Sequence, residues 1–233
     1  MSNRILSIIT LFLTLGATTL SAQKELPEIP NAEIIKGTAF ISYPSYSGAP
    51  FLNENFMMGE IELSDGTKVS NIGLRYSSYR DEVVYYNTFL SAQIVIDKIS
   101  LKGFSFTDQK GVKRIFRHQH YDDHLNDERY FEVLSDGKIS LLAFRKVNLE
   151  QCDPSYDIHG LAYKQTYYYY VYVADKGYSP LNITRNSLLS KLDKQNQKLA
   201  KRILRKHRLV FTDEASLVLA WNILKENGIV FNI

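Results

Sequence analysis

The segment Arg117 to Tyr130, RHQHYDDHLNDERY, gathers the side chains best equipped for chemistry. His118, His120 and His124 fall within seven residues, beside Asp122, Asp123, Asp127 and Glu128. Imidazoles and carboxylates are ligands of divalent transition metals. A structural zinc closes a tetrahedron of N or S donors, and a catalytic one keeps three ligands and an open position. His118 and His120 lie two apart, which on a strand puts both rings on one face. His124 or Asp122 from the turn would complete a three-ligand set, the basis of a metal-dependent hydrolase. Against this, the chain has no second ligand cluster and no HExxH helix, and a hairpin tip seldom excludes water. The sequence ranks a solvated turn first and a metal second.

Two further groups of residues carry chemical potential. Cys152, the single cysteine, precedes His159 in CDPSYDIHG and could serve as a nucleophile beside its base. The plainer reading is a small apolar residue, and one cysteine forms no internal disulfide. In KQTYYYYVYV, Tyr168, Tyr170 and Tyr172 share one strand face, a platform able to stack a sugar or peptide. Tyr167, Tyr169, Val171 and Val173 form the other face, which the valines assign to the core. Coverage of the Tyr168 face by the N-terminal arm or by helices is the favoured expectation, because exposed aromatic patches are rare.

Charge supplies the last candidate. Between Ser190 and Arg208 stand eight Lys/Arg and one acid, Asp193, a local balance of +7 in a chain of formal net charge +3. Without residues 1–22, which hold only Arg4, the balance is +2, so the rest of that portion carries −5. Lys191, Lys194, Lys198, Lys201 and Arg205 recur every three or four residues and are expected on one helical face. Such a face can rest on anionic lipid headgroups, pair with the chain's own acids, or be hydrated, the commonest case. There is no phosphate-binding glycine loop, dinucleotide fingerprint or GxSxG elbow. Asp81-Glu82 reads as part of a strand, where neighbours point apart and make a poor carboxylate pair. No cofactor is implied, and no nucleic-acid module is present.

The elements that must hold these residues follow from periodicity. Residues 1–22 carry Arg4, an apolar run from Ile5 to Leu15 and small residues up to Ala22, the layout of a secretory signal peptide and too short for a spanning helix. An exported chain, periplasmic, associated with the outer membrane or extracellular, is expected. Residues 23–56 hold four of the six prolines and read as an extended arm with an edge strand near Ile34 to Ile41. Residues 57–178 alternate with period two around Asp65-Gly66 and Asp136-Gly137, which predicts antiparallel hairpins. Residues 179–233 change to helical spacing: Leu188, Leu192, Leu199 and Ile203 form one stripe and Leu217, Trp221 and Leu224 another. Thr212 is placed as N-cap of the second helix, and IVFNI as a short closing strand. The fold class is α+β: an antiparallel β-meander, open and curved or a partial barrel, followed by two C-terminal amphipathic helices.

From Phe51 to Asn87, FLNENFMMGEIELSDGTKVSNIGLRYSSYRDEVVYYN, the chain resembles a group of exported β-rich proteins of Gram-negative Bacteroidota. The later YFEVLSDGKISLLAFRKV and the terminal helices extend the similarity, while Ser77-Ser78 departs from the pattern. The resemblance implies an envelope location and a β-then-α layout, and brings no activity and no catalytic residue. The reading is therefore a non-enzymatic envelope protein, binding or structural, with an envelope protein, a glycan or an anionic lipid surface as partner. A lipid or lipoprotein carrier, with an apolar cavity under a helical lid, is the alternative. The metal-dependent hydrolase comes third.

Overall fold

The computed structural model describes residues 35–121 and 127–231. Eleven strands form one antiparallel sheet: β1 (Gly37–Ala39), β2 (Met57–Leu63), β3 (Lys68–Ser77), β4 (Glu82–Asn87), β5 (Ala92–Ile96), β6 (Leu101–Thr107), β7 (Lys113–His120), β8 (Glu128–Ser135), β9 (Ile139–Gln151), β10 (Leu161–Val173) and β11 (Gly177–Leu181). Helices α1 (Arg185–Ser190), α2 (Lys194–Lys206) and α3 (Glu214–Glu226) follow. The α+β class and the alternating middle section are as the sequence predicts.

The sheet order, β1-β5-β4-β3-β2-β6-β7-β8-β9-β10-β11, departs from a simple meander at two points: β1 pairs with β5 and not with β2, and β6 pairs with β2 and not with β5. The β2–β6 pairing forces a curve. Four strand spacings of ~4.8 Å separate β5 from β6, about 19 Å along the sheet. The chain crosses from Ile96 to Leu101 in five steps, which reach at most ~17 Å, and a 3-10 turn at Lys98–Ser100 shortens that reach. The sheet therefore rolls inward over β2–β8. Its interior is one buried cluster that joins Ile61, Leu74, Tyr76, Tyr85, Phe104, Phe106, Phe116 and Tyr130. Phe104 and Phe116 stack there with centroids 4.5 Å apart.

Both Asp-Gly turns form as expected. At the first, Leu63 N–H bonds to the Thr67 carbonyl and Thr67 N–H to the Asp65 carboxylate. Gly66 there adopts φ +89°, which a side chain would resist.

The other half of the sheet is covered differently. Leu141, Ala143, Tyr169 and Val171 on β9 and β10 pack against Leu188, Leu189, Ala200, Leu204, Leu217, Trp221 and Leu224 of the helices. Arg145, only 2% exposed, pins α3 to this face: its Nε meets Glu132 at 2.5 Å and its two Nη atoms meet Glu214 at 2.5 and 2.9 Å. Burial opposes the Arg145 charge, but Glu214 and Glu132 outweigh it and raise the guanidinium pKa.

The C-terminal region differs from the sequence reading in four respects. Strand β11 crosses the expected 178/179 boundary, because Pro180 sits at the sheet edge, where a missing N–H costs nothing. The leucine stripe is split: Thr184 caps α1, and Asp193, accepting from Asn196 N–H, starts a separate α2. Three helices thus replace the expected two. Asp213, not Thr212, caps α3, through a reciprocal box with Ser216. Ile229 to Phe231 form no strand; Phe231 instead stacks on Trp221 at 3.7 Å.

Candidate functional site

Four places merit description as sites, and the first was missed in sequence. The RYSSYRDE stretch forms the β3–β4 turn, where Ser77 pairs with Glu82 and Asp81 takes φ +57°. Asp81 therefore lies in the turn and not within a strand. The turn wedges between β8 and β9, which pair only from Phe131 onward. Tyr130 N–H, left without a strand partner, turns to the Asp81 carboxylate at 3.3 Å, and Val147 N–H takes the Ser78 carbonyl at 3.0 Å. Asp81, 7% exposed, also accepts from Tyr76 Oη and Lys98 Nζ, each at 2.6 Å. The arm joins as well: Leu52 N–H bonds to the Tyr76 carbonyl and Tyr79 N–H to the Pro50 carbonyl. Burial first, then the Asp81 charge, pushes the Tyr76 phenol far up. Asp81 thus anchors the β3–β4 turn to Lys98 and to β8, while the backbone of Tyr76, Ser78 and Tyr79 joins the same turn region to the arm and to β9.

His118 and His120 share one face of β7, as their spacing predicts, and flank one carboxylate. His118 Nε2 and His120 Nδ1 each lie 3.3 Å from a Glu128 oxygen. His118 is 13% exposed, and burial, partly offset by Glu128, pulls its pKa below the usual histidine value. Its ring lies 5.1 Å from Tyr130. Asp122 and His124, the other candidate ligands, lie outside the described residues. Among the described residues, no group of three or more His, Cys, Asp or Glu side chains converges to hold a metal ion.

The Tyr168, Tyr170 and Tyr172 face is turned away from the helices, which lie on the Tyr169 and Val171 side. Its cover comes from neighbouring rings, not from the arm or the helices as expected. Tyr170 is buried among Tyr121, Phe131 and Tyr178, and Tyr172 meets Tyr178 at 4.7 Å. Only Tyr168, 44% exposed and stacked on Phe144, presents much surface. Alternation along one strand reveals none of these neighbours.

The cationic segment divides. Lys191 is the C-cap of α1 and not part of α2; it is half-buried, donates to Ser179 Oγ, and burial lowers its pKa. Lys194, Lys198, Lys201 and Arg205 lie on α2 and are exposed, as are Arg202, Lys206 and Arg208. Among the described residues, none of these seven forms a salt bridge. Asp193, the one acid of the segment, is engaged in capping α2.

Cys152 and His159 share no hydrogen bond among the described residues. Cys152 N–H closes a surface loop onto the Gly160 carbonyl, while the His159 ring packs edge-on to Tyr46 at 5.7 Å. Asp157 of that loop accepts from Ser47 N–H at 2.7 Å and fastens the arm.

The fold defines the class of the chain: an α+β protein with a partly rolled antiparallel sheet and a three-helix cover. Beyond that class, the chain matches no family model, no curated protein and no solved structure. Among the described residues, no helix is long and apolar enough to cross a membrane.

Proposed function

We propose that this chain is an exported, non-enzymatic protein of the cell envelope that rests on an anionic lipid surface through α2. The observation that carries this reading is the row of exposed, unpaired cations on and beside α2 in a chain whose remaining charge is acidic. Pairing with the chain's own acids, the internal alternative for those cations, finds no support among the salt bridges described above. Near an anionic surface each Lys or Arg contributes ~1 kcal/mol. Four cations then amount to ~4 kcal/mol, about a thousandfold in affinity. The signal-like residues 1–22 and the resemblance at Phe51 to Asn87 supply the envelope setting.

A carrier with a helical lid draws less support. Leu188, Ala200, Leu204, Leu217, Ala220, Trp221 and Leu224 fill the space between helices and sheet at 0% exposure, the packing of a closed core. Co-sedimentation tests the reading. The protein is expected to pellet with vesicles rich in phosphatidylglycerol and to stay in solution with phosphatidylcholine. Lys194→Gln, Lys198→Gln, Lys201→Gln and Arg205→Gln combined should abolish pelleting. Equal recovery of wild type and variant would reject the proposal.

A further inference from the structure

A cleft of about 500 Å³ opens beside Asp81, where β1, the β3–β4 turn and the end of β5 meet. Its volume falls within the ~300–1,000 Å³ typical of small-molecule sites. Six ionic residues line it: Lys36, Arg80, Asp81, Glu82, Asp97 and Lys98. Three are engaged by the fold, since Asp81 and Lys98 pair with each other and Glu82 accepts from Tyr43 Oη at 3.3 Å. The charged ends of Lys36, Arg80 and Asp97 are not. Among the described residues none makes a hydrogen bond or salt bridge through its side chain, and the Arg80 guanidinium only lies over the Tyr43 ring at 5.2 Å. All three are exposed.

The lining narrows the ligand. Asp81, Glu82 and Asp97 would repel a polyanion, and the three cations would repel a metal ion. A ligand that carries one charge of each sign meets a partner for both. We propose that this cleft binds a small zwitterion of amino-acid or dipeptide size, its carboxylate between Lys36 and Arg80 and its ammonium group on Asp97. The proposal is independent of α2 and of lipid.

Calorimetric titration with glycylglycine tests it, with acetate and methylammonium as probes of a single charge. Glycylglycine should bind saturably, and each single-charge probe at least ~10-fold more weakly, the factor of one lost charge-assisted contact. Lys36→Gln and Asp97→Asn, both exposed and so compatible with folding, should each weaken glycylglycine binding by a similar factor. Absence of saturable binding, acetate or methylammonium binding as tightly as glycylglycine, or undiminished affinity in both charge variants would overturn the assignment.

Discussion

The β3–β4 turn and helix α2 are both dense in polar and charged side chains, yet the fold treats them in opposite ways. The turn is enclosed: Asp81 holds Tyr76, Lys98 and the Tyr130 N–H, and Ser77 and Ser78 are buried with it. On α2, Lys194, Lys198, Lys201 and Arg205 face solvent without an ionic partner among the described residues. Charge density alone separates neither case from the other. Partners do: a charge enclosed by donors holds architecture together, whereas an exposed charge without a counterion is available to something outside the chain.

The comparison breaks most readily at the turn. Asp81→Ala leaves Lys98, the Tyr76 hydroxyl and the Tyr130 N–H without their acceptor. The Tyr76 hydroxyl and Tyr130 N–H are buried, whereas the Lys98 side chain is 31% exposed and is discounted, so a loss of about 2–3 kcal/mol is expected and the urea midpoint should fall sharply. A loss below ~1 kcal/mol would show that Asp81 does not anchor the turn. Glu214→Ala comes next. It removes the bidentate partner of Arg145 and the first-turn acid of α3, and is expected to cost about 2 kcal/mol, the discount reflecting a Glu214 side chain 28% exposed. Chemical denaturation followed by Trp221 fluorescence reads this directly, because Trp221 is the fully buried tryptophan of α3 itself.

A smaller effect should appear with pH. The folded state depresses the His118 pKa, so between the unfolded value, ~6.5, and the lower folded one the unfolded chain binds the extra proton. Stability from this group is complete above pH ~6.5 and declines as pH falls through the folded pKa. His118→Gln should flatten that decline between pH 7.5 and 5.5 in melting curves; an unaltered slope would assign it to other groups. Last, the four α2 substitutions to Gln should shift stability by no more than ~0.5 kcal/mol each, because they remove solvated charges without partners.

Local signals in the sequence reached the elements but not their long-range partners. Period-two alternation and the Asp-Gly turns located β2–β3 and β8–β9, because those contacts are between chain neighbours. The β2–β6 pairing that rolls the sheet joins segments some forty residues apart, and no local pattern encodes it. Asp81 was read as a strand residue for the same reason: its partners Lys98 and Tyr130 come from β5–β6 and β8. The cationic spacing of α2 was legible, since a helix face repeats every three to four residues, whereas the break at Asp193 that detaches Lys191 depends on a cap. His118 and His120 on one face were legible too. Their shared Glu128 was not, because it depends on the β7–β8 register, which pairs His120 with Glu128.

The central claim, that the unpaired cations of α2 meet an anionic lipid surface, is tested most directly by vesicle affinity across a salt series. Screening shortens the reach of exposed charges from ~10 Å at 0.1 M to ~3 Å at 1 M. Wild-type affinity for phosphatidylglycerol vesicles should therefore fall steeply as salt rises, while the four-fold Gln variant starts weak and stays nearly flat. The same steep slope in the variant, or wild-type binding indifferent to salt, would contradict the account.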